Sequence, residues 1–575
     1  MVGAWSHPTT PPRTGDPASD LLRARAALLA PPPGARRLGP AALRAALVDL
    51  HDLWLATRSA SLGLGPGTAL VAIGSLGRRD LAPWSGLDLL LVHDGAGPAA
   101  DRIADALAAH LAEADLGPGP AVRTVGEAVE ASLADLRVAL GLLEVRLVAG
   151  DPEPAGRLAA AARRAWRAGA ADRAADLVDL TRTRWDRAGD VAHRLEPDLR
   201  DGRGGLRDVA LLDALAVAGT PTPAPGVRAA RSTLLDLRTD LHRRAGRARD
   251  VLRVDDAREL ATGDAPFAGR HDVVRAYSGA ARTVVHAVET ALRVLRPARR
   301  GAAPARRVPA DGVVERAGEV TLALRARVAR DPVLVLRLAA AAARTGLPMA
   351  PAALRRLADA APELREPWPE EARRELLTLL GARDSLVDVV EALDRAGLWG
   401  RLLPEWGAVR DLPPADRRHV WTVGRHLLEV TRGASGAAAR VPRPDLLLLG
   451  ALVHGLGEGR GDDPGAVGAT LAGHVGRRLG LPAPDVATLA AVVRHQRLLP
   501  RTARRDDPED PATVRRVLDA LDDDPVLLEI LAVLAEVDAV GTGPGVWTPW
   551  LSGLVGDLVA RCRAALGAST TVSGP

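Results

Sequence analysis

Apolar residues recur at three- and four-residue spacing along most of the chain, with Arg, Asp and Glu between them, as in LLRARAALLA and LRRLADAAPELR. This spacing places the apolar side chains on one face of a helix, and alanine and arginine are strong helix formers. Residues 69–93 break the pattern, because two apolar runs flank a loop punctuated by Gly and Pro. They predict strand, turn and strand, with both strands largely buried. A weaker third strand is predicted at 121–124.

Stretches rich in Pro and Gly mark candidate linkers at 7–17, 30–40, 219–227 and 297–312. The length of 575 residues fits three or four structural units at roughly 150 residues each. The sequence therefore predicts a mostly helical, multidomain protein with one small α/β unit near its beginning.

Composition restricts the class of protein. The chain is 47% hydrophobic and 26% charged, which is typical of a globular protein. Its 76 basic residues are all arginine and face 71 acidic residues, so the net charge is only +5, and we expect no nucleic-acid partner. The lack of lysine indicates a GC-rich bacterial genome. Cys562 is the single cysteine, which excludes an intramolecular disulfide or a zinc site built of cysteines.

No targeting signal is evident, because the first residues are polar and rich in Pro. The longest apolar runs, such as 333–343, are interrupted by Arg and are shorter than the roughly 20 residues of a membrane-spanning helix. We therefore expect no membrane association and a cytoplasmic location.

The segment 74–88, GSLGRRDLAPWSGLD, carries the most specific chemical signal. A Gly-Ser turn after a buried strand leaves room for backbone N–H groups and a hydroxyl to approach a triphosphate. A carboxylate at the start of the next strand, here Asp88, is suited to a divalent metal that bridges those phosphates. A plain hairpin with a Gly/Pro loop is the alternative interpretation of the same pattern.

This segment resembles the G-G-x-G-R-x-E-L-x-P-x-S-D-x-D motif of the bifunctional uridylyltransferase/uridylyl-removing enzymes of the PII nitrogen-regulatory protein, within the polymerase-β-like nucleotidyltransferases. The matching residues are Gly74, Gly77, Arg78, Leu81, Pro83, Ser85 and Asp88, with Ser75 and Asp80 as mild replacements. The resemblance implies transfer from UTP, or ATP, to a tyrosine of PII with Mg²⁺ or Mn²⁺. It assigns nucleotide binding to Gly74, Ser75, Gly77, Arg78 and Ser85, and both catalysis and metal binding to Asp88.

One departure from the motif affects the predicted chemistry. The first metal-binding Asp of the family is Gly86 here, and a glycine has no side chain that can bind a metal. Asp80 and Asp94 are candidates to reach the vacated place. The third carboxylate of the site is left open between Asp135 and Glu144.

Two further segments support the resemblance. Residues 195–208, LEPDLRDGRGGLRD, are similar to the family's L-E-P-N-x-K-E-G-x-G-G-L-R-D signature. Arg200 and Arg207 are possible partners for phosphate or carboxylate groups. Alternatively, Arg207 and Asp208 cap and brace the helix that follows. The segment 241–250 follows the family's L-H-x-x-x-G-R-x-x-D pattern, and we expect His242 to have a structural role.

The C-terminal part resembles an HD domain, which in this family removes the nucleotide from PII. The metal-ligand candidates are His426, His454, His495 and Asp538. Several family residues are replaced here, by Gly424, Gly455, Glu458, Pro464 and Gln496. We therefore expect no hydrolysis and histidines that serve a relict core, with a weak metal site at His454, His495 and Asp538 as the alternative.

The resemblance divides the chain into an N-terminal helical lead-in (1–60), a nucleotidyltransferase core (61–150), an associated helical domain (151–296), a linker (297–312), a helical connecting region (313–410), a degenerate HD-like domain (411–560) and a C-terminal tail (561–575). The family's two glutamine-binding ACT domains have no counterpart before Pro575, so we expect no glutamine sensing by that route. Two functions are carried forward. One is transfer of UMP or AMP to PII, and the other is a catalytically inactive pseudoenzyme that binds PII or a nucleotide as a regulator.

Overall fold

The computed structural model describes residues 17–31, 34, 37–95, 97–261, 267–295 and 310–572. The chain forms two compact units. Unit 1 comprises residues 1–192 and 196–297, and unit 2 comprises residues 193–195 and 298–575. Much of the predicted linker (297–312), the start of the lead-in and the end of the tail lie outside the described residues. The seven-part division of the chain stays a prediction.

Unit 1 is built on a four-stranded mixed sheet. Its strands are β1 (Thr68–Ala72), β2 (Leu89–His93), β3 (Ala121–Arg123) and β4 (Arg146–Gly150). The strand order is β3-β2-β1-β4. β1 pairs antiparallel with β2 and β4, whereas β2 pairs parallel with β3. The three strands predicted from the sequence are present. β4 was not predicted, because its five residues are only partly buried and alternate too weakly to be recognised as a strand.

The helices of unit 1 surround this sheet and extend beyond it. They are α1 (Pro17–Leu29), α2 (Pro40–Ser61), α3 (Gly74–Gly77), α4 (Gly97–Glu113), α5 (Val125–Ala134), α6 (Leu136–Leu142), α7 (Pro152–Gly169), α8 (Ala174–Ala188), α9 (Leu206–Val217), α10 (Pro225–Ala245), α11 (Val254–Ala261) and α12 (Arg270–Leu295).

The two central strands are buried on both faces. Leu70 and Leu91 face one apolar cluster, which they share with residues of α1, α2 and α4. Val71 and Val92 face a second cluster, which includes residues of α5 and α7. A third apolar cluster, which includes the fully buried Tyr277, joins α9, α10 and α12. Because β1 and β2 are enclosed in this way, the loop between them begins and ends at fixed points.

Unit 2 begins its described main part with a β-hairpin and is otherwise helical. The hairpin consists of β5 (Val313–Arg316) and β6 (Glu319–Leu322). The helices are α13 (Leu334–Thr345), α14 (Pro351–Ala360), α15 (Glu370–Leu380), α16 (Leu386–Arg395), α17 (Trp399–Leu402), α18 (Trp406–Val409), α19 (Val423–Ala437), α20 (Pro444–Val453), α21 (Pro464–Arg478), α22 (Ala483–His495), α23 (Leu498–Arg505), α24 (Pro511–Ala520), α25 (Pro525–Thr542) and α26 (Pro549–Val572).

The hairpin differs from the expected helical character of residues 313–410. Its two strands have four residues each and turn at Ala317 and Gly318, both of which have positive φ angles. Val313 and Val320 are fully buried in the large apolar cluster of unit 2. Strands this short carry too few alternating positions to be distinguished from helix by periodicity. The mostly helical, multidomain class with a small α/β core is confirmed.

None of the helices in the described ranges combines the length and the apolar character that crossing a bilayer requires.

Replacing a core residue of β1 tests this layering. Leu70 is fully buried, whereas Leu53 on α2 is 69% exposed. Leu70→Ala should cost about 2–5 kcal/mol, because it removes apolar contacts from both the strand and the overlying helices. Leu53→Ala should change stability by less than about 0.5 kcal/mol. Guanidinium unfolding followed by circular dichroism measures both variants, and equal shifts of the midpoint would contradict the layering.

Candidate functional site

A cavity of about 550 Å³ lies in unit 1, at the end of β1 and the start of β2. Five of the six residues to which the resemblance assigns nucleotide or metal binding in unit 1 line it: Gly74, Ser75, Arg78, Ser85 and Asp88. Helices α6, α8, α9 and α10 supply much of the remaining wall. The loop predicted between two strands therefore borders a concave site of the size that small-molecule ligands occupy, and the plain-hairpin alternative does not describe it fully.

The contact between Gly74 and Asp88 determines the shape of the cavity at the end of β1. Gly74 has a φ angle of +58°, and a Cβ atom there would lie 2.6 Å from Oδ2 of Asp88. Only glycine satisfies both conditions without displacing the carboxylate. The N–H of Ile73 also donates to the carbonyl oxygen of Asp88 at 2.9 Å. The carboxylate is thus held beside the Gly-Ser turn.

Burial and nearby arginines act on the pKa of Asp88 in opposite directions. Its side chain is accessible from the cavity, but the surrounding protein reduces its hydration and raises its pKa. The positive charges of Arg200, Arg78 and Arg207 oppose that rise. A divalent ion shared with substrate phosphates fits this place, because Mg²⁺ commonly binds through one or two carboxylates and the phosphates themselves.

Gly77 has a different position from the one its motif suggests. It does not line the cavity. A Cβ atom at Gly77 would overlap with the backbone carbonyl of Glu144 and would lie 3.1 Å from the carbonyl oxygen of Ala72. Gly77 therefore allows α3 to pack closely against the residues before β4, and the expectation that it contacts the nucleotide is not supported by its position.

Apart from its chain neighbours, no residue lies close to the point where the side chain of the missing aspartate would begin. A Cβ atom at Gly86 would have no heavy atom within 4 Å. Asp80 is held by Arg78, at 3.3 Å, and by Arg231. Asp94 follows β2 at its opposite end and pairs with Arg157. Neither carboxylate replaces the aspartate that the family has at this position.

Of the two candidates for the third carboxylate, only Glu144 lines the cavity. Partial burial raises the pKa of Glu144, and the nearby Arg78 opposes that rise. Asp135 instead caps α6, where its carboxylate accepts a hydrogen bond from the N–H of Arg137 at 2.6 Å. Glu144 is therefore the candidate that the geometry favours.

The loop at 195–208 contributes both cavity-lining and structural residues. Arg200 and Arg207 line the cavity, as the phosphate-partner interpretation requires, and Arg207 also pairs with Asp201 at 2.8 Å. Asp208 is fully buried and accepts hydrogen bonds from Arg184, from the indole of Trp185 and from the N–H of Gly204. Asp208 therefore braces the start of α9, and the phosphate-partner role of Arg200 and Arg207 stays a prediction.

A hydrogen-bonded chain fixes the loop before Gly86. Nδ1 of the fully buried His242 accepts from the N–H of Trp84 at 3.3 Å, and its Nε2 lies 3.2 Å from Asp250. Arg238 donates to Asp250 at 2.7 Å and to the hydroxyl of Ser85 at 3.2 Å. Burial would raise the pKa of Asp250, but the hydrogen bonds from His242 and Arg238 outweigh it and lower that pKa. His242 has the structural position expected for it.

The sequence analysis missed most of the arginines that surround this cavity. Eight arginines line it, together with four carboxylates, Asp80, Asp88, Glu144 and Asp250. The unrecognised arginines come from α6, α8 and α10: Arg137, Arg184, Arg187, Arg231 and Arg238. On amphipathic helices in an arginine-rich chain, these residues resemble ordinary solvent-facing positions, so no local signal separates them.

In unit 2, three candidate metal ligands converge. His426 on α19, His454 after α20 and Asp538 on α25 each offer a ligand atom, and these atoms lie within 4.8 Å of one another. Oδ1 of Asp538 is 2.9 Å from Nε2 of His426 and 3.4 Å from Nε2 of His454. Burial would raise the pKa of Asp538, but its hydrogen bonds with the two imidazoles lower it.

The tautomer of His454 suits a metal ligand. Its Nδ1 lies 2.8 Å from the carbonyl oxygen of Ala451, to which it can only donate. Nε2 points at His426 and Asp538, so it is the ring nitrogen available to bind a metal. Two imidazoles and one carboxylate form a set of three ligands that leaves positions open for water, as in catalytic metal sites.

His495 is not part of this group, so the predicted residual set of His454, His495 and Asp538 is corrected to His426, His454 and Asp538. His495 ends α22. The next residue, Gln496, uses its amide to donate to the carbonyl oxygen of His454 at 2.8 Å. The position that the family fills with a second histidine therefore supports the backbone of a ligand.

The two glycines that replace aspartates in unit 2 are in tight surroundings. A Cβ atom at Gly424 would lie 2.8 Å from backbone atoms of Arg410, so a side chain there requires the backbone to move. At Gly455 the nearest atom would be Cδ2 of Leu427, at 3.1 Å, which a small side-chain shift could relieve. A side chain would therefore be accommodated less easily at Gly424 than at Gly455.

Comparisons with known proteins relate this chain to a family. Residues 423–524 match the model of the HD domain. A bifunctional uridylyltransferase/uridylyl-removing enzyme of Mycobacterium tuberculosis is 48% identical over 568 residues, covering 96% of this chain and 70% of the relative. Proteins of the same name from Streptomyces coelicolor and Corynebacterium glutamicum are 42% and 38% identical and cover 92% and 88% of this chain, with 66% and 73% of their own lengths matched.

The small mixed sheet with its arginine-lined cavity, followed by an HD domain, defines the class as a nucleotidyltransferase-type protein with an HD module. Within that class, the chain belongs to the family of bifunctional uridylyltransferase/uridylyl-removing enzymes.

The contrast between Gly77 and Gly86 can be measured directly. Gly77→Ala should lower the melting temperature by several degrees, because its methyl group meets the backbone of Glu144. Gly86→Ala should leave the melting temperature nearly unchanged, because its methyl group points into open space. Differential scanning calorimetry compares the two variants. A stable Gly77→Ala protein would show that this close approach of the backbone does not exist.

Proposed function

We propose that unit 1 binds a nucleoside triphosphate, UTP or ATP, and transfers its nucleotidyl group to a tyrosine of the PII protein. The observation that carries this proposal is the set of motif residues around one cavity, in which Gly74, Ser75 and Asp88 lie together among arginines. The relatives, by their name, transfer and remove uridylyl groups.

Each part of the cavity has a proposed role. The Gly74–Ser75 turn admits the phosphates closely, because its glycine has no side chain in the way. Arg78 and Ser85 contact the nucleotide from the loop between the strands. Asp88 holds Mg²⁺ or Mn²⁺, and such an ion would neutralise charge on the transferring phosphoryl group when bound. Glu144 is the second carboxylate available within the cavity. The other two, Asp80 and Asp250, are held by Arg231 and Arg238.

Gly86 supports a second candidate function. With no carboxylate at the vacated place, the cavity retains the groups that hold a nucleotide but lacks one of the groups that hold metal ions during transfer. The second candidate is therefore a catalytically inactive regulator that binds a nucleotide or PII. The open space at Gly86 gives a direct way to distinguish it from a working transferase.

Restoring the missing carboxylate tests both candidates. Label from radiolabelled UTP, and separately ATP, is followed into purified PII with Mg²⁺ or Mn²⁺. Gly86→Asp should raise the rate about tenfold or more, because the side chain enters open space beside the cavity. Asp88→Ala should abolish labelling, whereas Arg182→Gln, an exposed change outside the cavity, should have no effect.

The outcomes separate the two functions. Labelling by the native chain that disappears in Asp88→Ala supports the transferase. No labelling by the native chain, together with activity in Gly86→Asp, supports the pseudoenzyme. No labelling by either protein, with either nucleotide and either metal, contradicts the transferase proposal.

For unit 2 we propose a metal site without uridylyl-removing activity. Two imidazoles and one carboxylate are available, but Gly424 and Gly455 supply no further acidic ligands. A fourth and fifth position would be filled by water, so the ion should bind weakly.

Metal binding in unit 2 should depend on the convergent group. In an Asp88→Ala background, which removes the unit 1 ligand, calorimetric titration with Mn²⁺ should show one site. His426→Ala should weaken that site about tenfold or more, whereas His495→Ala should leave it unchanged, because His495 lies outside the group. Uridylylated PII should release no UMP in the presence of the protein. Equal effects of the two histidine changes, or release of UMP, would contradict this assignment.

A further inference from the structure

The strand β4 forms one edge of the unit 1 sheet. Its neighbour in the sheet is β1, and within the described ranges no other backbone group bonds to the backbone of residues 146–149. Alternate N–H and C=O groups on the outer side of such a strand are left without partners. The two middle strands are fully buried, whereas Leu147 is 37% exposed and Gly150 is exposed as well. The β4 edge can therefore accept another extended segment.

The β4 edge lacks the features that normally prevent such an addition. Its sequence, RLVAG, contains no proline, and the guanidinium of Arg146 is already bound by Asp52 at 2.8 and 2.9 Å. The strand at the opposite edge, β3, has only three residues, follows directly on Pro120 and ends with Arg123. Prolines, charged side chains and short length protect an edge strand from pairing. Of the two edges, β4 is therefore the less protected.

The register of the sheet places the start of β4 at the cavity. Arg146 pairs with Ala72, the last residue of β1, and one residue separates Ala72 from the Gly74–Ser75 turn. Glu144, which lines the cavity, precedes β4 by two residues. Two residues of extended chain span at most about 7 Å. A segment that lies along β4 would therefore have one end beside the cavity.

The side chains of β4 are divided between core and surface. Val148 and Ala149 pack against the apolar cluster that β1 and β2 share with α1, α2 and α4. Leu147 belongs to neither of the two clusters that enclose the sheet, and it does not line the cavity. An added strand would cover Leu147, because side chains opposite each other on neighbouring strands are in contact. This favours a segment with an apolar residue at that position.

A positive charge without a partner lies on the cavity wall formed by α6, the helix that ends four residues before β4. Arg137 on α6 is exposed and lines the cavity. In the part of the chain that the structure describes, its guanidinium has no ion pair, and the nearby Asp135 binds its backbone N–H instead. Charge complementarity favours an acidic residue near the end of the segment that enters the cavity.

We propose that the β4 edge docks the tyrosine-bearing segment of the protein substrate as an added strand, with the tyrosine at the end that reaches the cavity beside Glu144. The inference rests on the proposed function for the identity of this occupant. The segment is extended, carries an apolar side chain over Leu147 and has an acidic residue near the tyrosine. Main-chain hydrogen bonds supply affinity, and the side chains supply specificity. The position of the edge at the cavity favours this occupant over a second copy of the chain.

Hydrogen–deuterium exchange of the full chain tests the docking directly. Purified PII should slow the exchange of the outward-facing amides among residues 146–150 about tenfold or more, because an added strand gives them hydrogen-bond partners. The amides of β3 should be unchanged. Measurements without PII, at two concentrations of the chain, detect pairing between copies, which would protect the same amides in the absence of PII.

A charge on the β4 edge should block the added strand. Leu147→Lys should weaken PII binding about tenfold or more, as measured by calorimetric titration. UTP binding should be unchanged, because Leu147 does not line the cavity. Leu133→Lys is the matched control, since Leu133 is 58% exposed on α5, outside the edge strand. Arg137→Gln should also weaken PII binding, because it removes the charge that the acidic residue of the segment would meet.

The outcomes separate the docking site from the transferase. Unchanged exchange of residues 146–150 with PII bound, or equal weakening by Leu147→Lys and Leu133→Lys, would overturn the docking site. So would protection that depends on the concentration of the chain and not on PII, since the occupant is then a second copy. Protection by PII without any labelling of PII would keep the docking site and contradict the transferase. Labelling of PII with the same KM in the native chain and in Leu147→Lys would keep the transferase and overturn the docking site. A native chain that does not bind PII contradicts both.

Discussion

The carboxylate of Asp88 lies directly over Gly74, and the geometry of the unit 1 cavity depends on this contact. The turn at the end of β1 needs a residue with a positive φ angle and no side chain, and the start of β2 needs a residue whose carboxylate fills the space above it. Both strands are enclosed between two apolar clusters, so neither end of the loop is free to adjust. The polar site is positioned by the apolar packing beneath it.

The chain has arginine but no lysine, and arginine has two roles around the cavity. Arg238 and Arg184 are structural, because each binds a carboxylate that is itself hydrogen-bonded to the backbone or to another side chain. Arg187 and Arg207 extend into the cavity with less compensation. The planar guanidinium serves both purposes, since it forms directed hydrogen bonds with carboxylates and phosphates alike. The two groups are both arginine, but they differ in how far neighbouring carboxylates neutralise their charge.

The replacements of acidic residues in the two units have different structural consequences. At Gly86 the space for the lost side chain is still open. At Gly424 a Cβ atom would lie 2.8 Å from the backbone of Arg410, and at Gly455 it would lie 3.1 Å from the side chain of Leu427. A side chain could thus be introduced at Gly86 without rearrangement and at Gly455 after a small side-chain shift, whereas at Gly424 the backbone would have to move. The two sites therefore differ in the space that they leave for an acidic side chain at the replaced positions.

The sequence by itself determined the elements with strong local patterns. Apolar periodicity predicted the helices and the buried strands β1 and β2, and the contiguous motif at 74–88 predicted that Gly74, Ser75 and Asp88 lie together. The strands β4 and β5 were missed because most of their residues are only partly buried and neither strand stands out as a buried apolar run. Only the tertiary structure decided which distant residues join the sites. In the tertiary structure, Arg187 and Arg238 line the cavity and Gly77 does not. His426, and not His495, lies beside His454 and Asp538. These outcomes depend on how helices far apart in the chain pack against each other, and no local pattern encodes that packing.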